Sequence, residues 1–306
     1  MAVSGGVDSV VLLHLLRFLP PKLRPRLFAA HFHHNLRGRA ADADARFVRE
    51  LCRSWDVPLK TGKAPRWKTR ENTESRARDL RYRFLVREAA RIGARKIATA
   101  HHADDQLETF VMRWLQGAGL KGLSGIRPVR PWGKRGRVAL VRPLLRATRP
   151  EIAAYARALK LRFREDATNA SDLYLRSRLR KLLKALRKEN PNLSERTATN
   201  AVFLQADDDR LNDEILAIFR KVAVRSSGKV ACPVFKYRLM PPSLRYRLLQ
   251  KMAQQLAGDG FALPAVSVLK VDEILRDSAQ GQVYDLPAGL GFEKQRKHFV
   301  FFRKSR

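Results

Sequence analysis

Cysteine is nearly absent from this sequence, and so are long apolar runs. The 306 residues include only Cys52 and Cys232, which lie far apart, so a disulfide framework and a CxxC metal or redox pair are excluded. The longest apolar run, near residues 10–16, is too short to span a bilayer and follows a glycine-rich turn instead of a basic signal-peptide head. These absences predict a protein of the reducing cytoplasm.

Acidic residues are scarce relative to basic ones. The chain has 62 Lys and Arg against 29 Asp and Glu, which gives a formal net charge of +33. Such an excess attracts polyanions, and nucleic acid is the favoured partner. A membrane surface is the alternative, but the basic residues are spread along the whole chain and form no polybasic amphipathic helix. A hydrophobic content of 45% is enough for packed cores and excludes a wholly disordered chain.

The first half of the chain alternates short β-like runs with helical patterns. This alternation predicts an α/β fold, with a parallel sheet that carries helices on both faces. Residues 127–137 are rich in Pro, Gly and Arg and are predicted to form a mobile basic loop. The predicted strands are a short one at 2–3 and others at 27–33, 96–100 and 138–145, and the predicted helices are 10–18, 42–55, 74–92 and 104–116.

A smaller domain is predicted after the polar segment 189–199, which contains Asn-Pro. Helical patterns dominate from Arg149 to this segment, and a helical or α+β region follows it. We therefore predict a catalytic domain at 1–188 and a C-terminal domain at 189–306. Only three residues precede the glycine-rich turn, which is short for a buried first strand, so we expect a clipped or wrongly assigned start.

The glycine-rich turn at residues 4–9, SGGVDS, lies between a predicted strand and the first helix. Two glycines let the backbone approach an anion, and the hydroxyls, amides and helix dipole favour pyrophosphate there. Asp8 is unsuited to a plain anion site, so we expect it to bind Mg²⁺ beside the phosphates. A turn without a ligand is the alternative. The candidate nucleotide-binding residues are Ser4, Gly5, Gly6, Val7, Asp8 and Ser9.

Acidic residues cluster at the start of another predicted helix, in the segment 101–109, HHADDQLET. Asp104 and Glu108 are four residues apart, and Asp105 and Glu108 are three apart. Their carboxylates therefore converge near the carboxyl end of the sheet. In so basic a chain this cluster predicts a cationic guest, either lysine or Mg²⁺, with Asp104 as a second candidate metal ligand. Carboxylates in a first turn also stabilise a helix dipole, which is the structural alternative.

The SGGxDS turn resembles the signature of the PP-loop (N-type) ATP pyrophosphatases, which form adenylates on a Rossmann-like sheet and release pyrophosphate. Other motifs are similar to those of one subfamily, the tRNA(Ile)-lysidine synthetases. These motifs are HxxHxLR at 31–37, NxExxARxxRY at 72–82 and AHHxDDQxET at 100–109, with further blocks at 117–122, 142–145 and 165–169. One departure is Ser177, which stands where the subfamily usually has Asn.

This resemblance implies a ligase that uses ATP and Mg²⁺. Its substrates would be free lysine and a tRNA(Ile) with an unmodified wobble cytidine. The enzyme would adenylate C2 of that cytidine and let lysine displace AMP, giving lysidine, AMP and pyrophosphate. The loop and Asp8 would hold the phosphates and the metal, and His31 and His101 would lie at the nucleotide.

The resemblance also implies roles for side chains beyond the loop. Asp105 and Glu108 would orient the incoming lysine, and one carboxylate would accept its proton so that the amine can attack. Arg81 and Arg176, together with Arg78, would stabilise the adenylated base or its phosphate, because guanidinium groups stay charged and match phosphate geometry.

Several alternatives stay open on the sequence alone. A tRNA thiolase of the same superfamily would need cysteines to carry sulfur or a cluster, and a small-molecule amidating ligase would have no evident use for the net charge of +33. A non-catalytic RNA-binding protein would not need every candidate catalytic position filled. Zinc at the histidines is disfavoured because no cysteine joins them. The C-terminal domain is predicted to bind tRNA phosphates, and the oligomeric state is open, with a homodimer possible.

Overall fold

The computed structural model describes residues 1–35, 39–65, 73–132, 138–164, 175–258, 260–277, 281 and 283–304, without the side chains of residues 39, 40, 73–75 and 175–177. These residues form two compact units, Met1–Gln205 and Ala206–Arg306. Each unit buries its own apolar side chains. Within the described ranges, no helix is both long and apolar enough to cross a membrane.

The first unit is built on a largely parallel sheet. β1 pairs with β2 and β3 pairs with β5, both in parallel, and β4 adds an antiparallel edge to β5. The initial segment Met1–Val3 lies between the two parallel pairs, because Val3 N donates to Ala30 O and Ala2 N donates to Ala98 O. The strands are β1 (Ala29–His33), β2 (Leu59–Lys63), β3 (Lys96–Ala98), β4 (Val129–Trp132) and β5 (Val138–Val141).

Helices cover both faces of this sheet, as the sequence pattern predicts. Ala29 packs in one core with α1 and α2, while its neighbours Ala30 and Phe32 pack against the core of α3. Adjacent strand residues point to opposite faces, so these two cores lie on opposite sides. The helices of the first unit are α1 (Val7–Arg17), α2 (Arg39–Ser54), α3 (Thr73–Arg91), α4 (Ala103–Leu115), α5 (Leu120–Leu123), α6 (Arg149–Ala158) and α7 (Leu175–Glu189).

The second unit combines an antiparallel sheet with helices, and the sheet has the strand order β6-β7-β10-β9-β8. Its core is rich in aromatic side chains, among them Phe292, Phe299 and Phe301. Helix α8 (Leu193–Val222) begins in the first unit and ends in the second. The other elements are β6 (Val224–Ser226), β7 (Lys229–Pro233), α9 (Val234–Arg238), α10 (Pro242–Ala257), α11 (Ala265–Arg276), β8 (Val283–Leu286), β9 (Leu290–Lys294) and β10 (His298–Arg303).

Among the elements that begin in the first unit, β2, β4 and α8 differ from the sequence prediction. β2 is an additional strand, and its sequence LKTGK has too few apolar residues to stand out because it lies at the edge of the sheet. β4 occupies part of the predicted loop 127–137, of which residues 133–137 lie outside the described residues. Helix α8 begins within the predicted polar boundary 189–199, so Asn-Pro precedes a helix there. The compact units divide at 205/206, and the functional division at 188/189 stays a prediction.

Candidate active site

The turn at residues 4–9 is held in shape by serine hydroxyl groups, chiefly that of Ser9. Ser9 Oγ accepts hydrogen bonds from the amides of Ser4 and Gly5, each at 3.2 Å, and donates to Gly6 O at 2.9 Å. Gly5 has a φ of +98°, in a region that side chains other than glycine rarely adopt. The turn therefore depends on both a glycine and a serine at the positions that the sequence singles out.

Helix α1 begins directly after this turn with an open N-terminus. Gly6 is its N-cap residue and no side chain caps it. First-turn amides, here those of Val7, Asp8 and Ser9, have no partner within a helix, and the helix dipole gives them a partial positive charge. This arrangement is a general anion-binding geometry and suits a phosphate chain.

Asp8 lies in the first turn of α1 with its two oxygens in different surroundings. Oδ2 accepts from Arg149 Nη1 at 3.1 Å, whereas Oδ1 is buried and has no hydrogen-bond partner among the described residues. Burial raises the pKa of Asp8 and Asp105 raises it further, against the lowering effect of His102 and Arg149. A buried carboxylate oxygen without a donor fits a cation bound beside the turn.

A second acidic group faces Asp8 from the start of α4. His102 N donates to Asp105 Oδ2 at 3.0 Å. The imidazole Nε2 of His102 lies 3.8 Å from Asp8 Oδ2 and 3.6 Å from Asp105 Oδ2. Burial alone would lower the pKa of His102, but a hydrogen bond to Asp104 and the nearby carboxylates raise it overall. Asp8, His102 and Asp105 thus converge on one place.

Asp104 and Glu108 are already paired with arginines of α7. Asp104 Oδ1 lies 2.6 Å from Arg187 Nη2, and Glu108 Oε1 accepts from Arg180 Nε at 2.6 Å. Both carboxylates are buried. They therefore share one helix face as predicted, but each already has a cationic partner within the protein.

Asp104 makes further contacts that tie four elements together. Its Oδ2 accepts from the backbone amide of Arg149 at 2.8 Å, and its Oδ1 accepts from Ser194 Oγ at 3.1 Å. Burial would raise the pKa of Asp104, but hydrogen bonds from His102 and Arg149 and the charge of Arg187 hold it well below its usual range. These contacts connect α4 to α7 and to the starts of α6 and α8. Asp104 therefore lies at a structural junction of four helices.

The two predicted nucleotide-site histidines are held by short local contacts. His31 is buried, and its Nδ1 lies 2.9 Å from Val3 O, so Nδ1 carries the proton and donates it. His101 Nδ1 lies 2.9 Å from Thr99 Oγ1. Burial lowers the pKa of both rings, to about 4 for His101, where nearby arginines add to the effect. Both rings are therefore neutral at physiological pH.

Arginines gather around an aromatic pair between α3 and β4. The guanidinium groups of Arg78 and Arg81 lie 5.2 and 5.5 Å from the ring centre of Tyr82. Tyr82 stacks on Trp132 with ring centres 4.9 Å apart, and Arg130 lies over Trp132. Tyr82 is buried, so the guanidinium groups are the part of this cluster suited to an RNA phosphate or base. The side chain of Arg176, another predicted site residue, lies outside the described residues.

The surroundings of the carboxylates indicate which of them could bind a metal ion. In the part of the chain that the structure describes, no group of three or more His, Cys, Asp and Glu side chains is arranged to hold a metal. Mg²⁺ is commonly bound through one or two carboxylates together with substrate phosphates and water. Asp8, with its open Oδ1, and Asp105 fit that mode, whereas the oxygens of Asp104 are occupied by protein donors.

Sequence reasoning did not select two residues that the structure places at this site. His102 was part of a motif, but its contact with Asp8 depends on the approach of α4 to α1. Arg149 belonged to no recognised motif and reaches Asp8 from a helix that begins 141 residues later. Its only sequence signal is a basic residue beside Pro150 at a predicted helix start.

Comparison with known proteins assigns the chain to a family. A family model described as a PP-loop domain matches residues 1–186. The chain therefore belongs to the PP-loop family, as its glycine-rich turn predicts.

Its relatives within that family are tRNA-modifying enzymes. The chain is 38% identical over 313 aligned positions to the tRNA(Ile)-lysidine synthase of Geobacter sulfurreducens, covering 99% of this chain and 64% of that protein. It is 32% identical to the Dehalococcoides mccartyi enzyme of the same name, covering 98% of this chain and 65% of the relative. The chain thus spans slightly less than two thirds of these relatives.

A solved structure is similar at the level of the fold. The U34-tRNA thiolase NcsA from Methanococcus maripaludis aligns with a TM-score of 0.54 and 21% identity, covering 67% of this chain and 70% of that one. At this identity the likeness supports the predicted α/β architecture alone.

Proposed function

We propose that this protein uses ATP to join lysine to C2 of the wobble cytidine of tRNA(Ile), through an adenylated base, with release of pyrophosphate and AMP. The observation that carries the proposal is the open N-terminus of α1 with Asp8 in its first turn, opposite Asp105 and His102. Membership of the PP-loop family implies ATP as the nucleotide. The relatives' names supply lysidine and tRNA(Ile).

The first step transfers the adenylyl group to the cytidine. The turn at 4–9 and the first-turn amides of α1 would bind the β- and γ-phosphates and stabilise the charge that develops on pyrophosphate as it leaves. Mg²⁺, when bound, would neutralise part of that charge. Asp8 would hold the metal through Oδ1, with Asp105 as the second carboxylate.

The second step requires an uncharged lysine amine next to the adenylated base. Asp105 is the carboxylate best placed to orient the ammonium group and accept its proton, because Glu108 and Asp104 are ion-paired to Arg180 and Arg187. Glu108 would then act by holding Arg180 at the site. Displacement of AMP by the amine forms the new C–N bond.

The arginines beside the site are proposed to contact the RNA. Arg78 and Arg81 lie on the Tyr82 ring and would stabilise the phosphate or the adenylated base. Arg176 keeps this role as a prediction from its motif. His31 and His101, both neutral, would contact the adenosine as hydrogen-bonding groups without charge.

The two cysteines bear on the thiolase alternative. Cys52 is buried in the core of α1 and α2, and Cys232 in the core of the second unit. Burial raises the pKa of the Cys52 thiol to about 11 and that of the Cys232 thiol to about 12. Sulfur transfer uses reactive thiolates, so these two thiols favour lysine ligation over thiolation.

The decisive experiment measures incorporation of radiolabelled lysine into unmodified tRNA(Ile), with and without ATP. We expect label in the RNA only when ATP is present, with one AMP formed for each lysine joined. Folded protein that binds this tRNA and ATP but incorporates no lysine would contradict the proposal. Binding of RNA without any nucleotide turnover would favour the non-catalytic alternative. Location in the cytoplasm and the oligomeric state stay predictions.

A further inference from the structure

Arg149 is held beside the turn at residues 4–9 by one contact of its backbone and one of its side chain. Its backbone amide donates to Asp104 Oδ2 at 2.8 Å, and its guanidinium Nη1 donates to Asp8 Oδ2 at 3.1 Å. A capping box between Thr148 and Glu151 stabilises the helix start that carries it. The fold thus places a permanent cation in direct contact with the carboxylate that is proposed to bind the metal.

This contact cannot be optimal once a metal and a triphosphate are present. A guanidinium group and a divalent cation compete for the same carboxylate and repel each other. Phosphate oxygens at the α1 N-terminus would offer Arg149 a better partner, because a guanidinium group binds phosphate through two parallel hydrogen bonds. The Arg149 side chain is 48% exposed, which leaves it room to change partner.

We propose that Arg149 is the counter-ion of Asp8 in the nucleotide-free protein and becomes a phosphate ligand when Mg²⁺ and ATP bind. This inference rests on the proposed function. It also makes metal binding depend on the nucleotide: the positive charge of Arg149 on Oδ2 opposes a metal on Oδ1 until phosphates draw the arginine away. The metal and the nucleotide would therefore bind cooperatively, and the metal alone would bind weakly.

The other charged groups around Asp8 fit this exchange. His102 approaches the same oxygen, Oδ2, at 3.8 Å, and Asp105 lies beyond that ring. Asp8 Oδ1 is buried and has no hydrogen-bond partner among the described residues, so it is the oxygen that would take the metal. Departure of Arg149 would leave Asp8 with two carboxylate oxygens to share between His102 and the metal.

The test is the variant Arg149→Gln, with binding measured in the absence of RNA. Mn²⁺ alone, followed by electron paramagnetic resonance, reports access to Asp8, and calorimetry reports binding of ATP with Mg²⁺. We expect Mn²⁺ alone to bind about threefold more tightly, the scale of one partly exposed ion pair. We expect ATP with Mg²⁺ to bind about tenfold more weakly, the scale of one charge-assisted phosphate contact.

Controls separate this exchange from general effects of charge and folding. Arg157→Gln removes the same charge from the exposed far end of α6 and is expected to change neither affinity. Arg149→Lys is expected to restore the weak Mn²⁺ binding and only part of the ATP affinity. In a protein that also carries Asp8→Asn, the gain in Mn²⁺ affinity is expected to disappear.

The inference requires that Arg149→Gln change the affinities for Mn²⁺ and for ATP in opposite directions. If Arg149→Gln weakens Mn²⁺ and ATP binding together, the residue is merely structural and the inference is overturned. Unchanged binding of either ligand overturns it too. These outcomes leave the proposed function intact as long as the native protein joins lysine to tRNA, whereas a native protein that binds no ATP would refute the function itself.

Discussion

Gly5 and Gly6, neighbours in the turn at residues 4–9, tolerate a side chain to different degrees. Gly5 has a φ of +98°, and a Cβ atom there would lie 3.3 Å from Val48 Cγ2. Gly6 has a φ of −72°, and its nearest neighbour would be Ser4 Oγ at 3.6 Å. The first glycine is thus required by the fold, and the second leaves space at the mouth of the turn.

This difference predicts opposite outcomes for the two alanine variants. Gly5→Ala is expected to lower the free energy of unfolding by about 1 to 2 kcal/mol, because alanine is strained at that φ. Gly6→Ala is expected to leave stability nearly unchanged and to weaken ATP binding, since its methyl group occupies the approach to the phosphates. Urea unfolding and calorimetry with ATP measure both effects. Equal losses of stability would contradict this view of the turn.

The buried ring of His101 predicts a measurable dependence of stability on pH. Its pKa is lowered to about 4 in the folded protein, below the usual value of 6.5. Between these values the unfolded state binds more protons, so stability is lost as the pH falls from 6.5 towards 4. His101→Gln should reduce that loss by an amount on the order of 1 kcal/mol in urea unfolding at pH 7.5 and 5.0. His298→Gln, at an exposed site, should leave it unchanged; an equal reduction in both variants would count against burial as the cause.

At the scale of elements, the central feature is the junction at Asp104. This one side chain connects α4 to α7 through Arg187, to α6 through the Arg149 amide and to α8 through Ser194. The sequence alone predicts a metal ligand here, because a tight cluster of acidic residues in so basic a chain favours a cationic guest. Its contacts favour a structural role.

Asp104→Asn separates these two roles. A structural role predicts a loss of about 2 kcal/mol in the free energy of unfolding, because Arg187 and His102 lose their buried charge partner. ATP binding at saturating Mg²⁺ should then persist in the protein that remains folded. Asp79→Asn, an exposed position on α3, is the matched control and should cost little. Unchanged stability together with lost metal dependence would restore the metal role.

Most helices of the catalytic region could be predicted from sequence to within a few residues, since their apolar periodicity is local. The strand β2 was not predicted, because it lies at the edge of the sheet and its apolar and polar residues alternate little. Only its pairing with β1 shows that it is a strand. The start of α8 was predicted as a linker, because it is polar and follows a proline. In the structure Ser194 and Ala198 near that start are buried, and Ser194 donates to Asp104.

At the scale of the whole molecule, the positive charge is unevenly distributed. Residues 1–205 hold 44 Lys and Arg against 18 Asp and Glu, and residues 206–306 hold 18 against 11. Phosphate contacts follow basic residues, so the first unit is expected to supply most of the salt-dependent attraction to RNA. The second unit, with 18 basic and 11 acidic residues, would add a smaller share of phosphate contacts.

Two truncated chains test this division. A chain of residues 1–205 keeps Ser194 on Asp104 and Gln205 on Ser124 O and Ile126 O, whereas a chain of 1–188 loses them. We expect 1–205 to unfold cooperatively and bind ATP, and 1–188 to be clearly less stable. The longer fragment should bind tRNA more weakly than the full chain but retain most of its salt dependence. Equal stability of the two fragments would support the boundary predicted from sequence.

The sequence by itself determined the α/β class, the glycine-rich turn before α1 and the acidic start of α4, because each depends on spacings within a few residues. Only the tertiary structure decided how the charges are paired. Glu108 meets Arg180 across 72 positions and Asp8 meets Arg149 across 141, in a chain with 62 basic side chains to choose from. Which cation reaches which carboxylate depends on how helices pack, and local spacing carries no information about that.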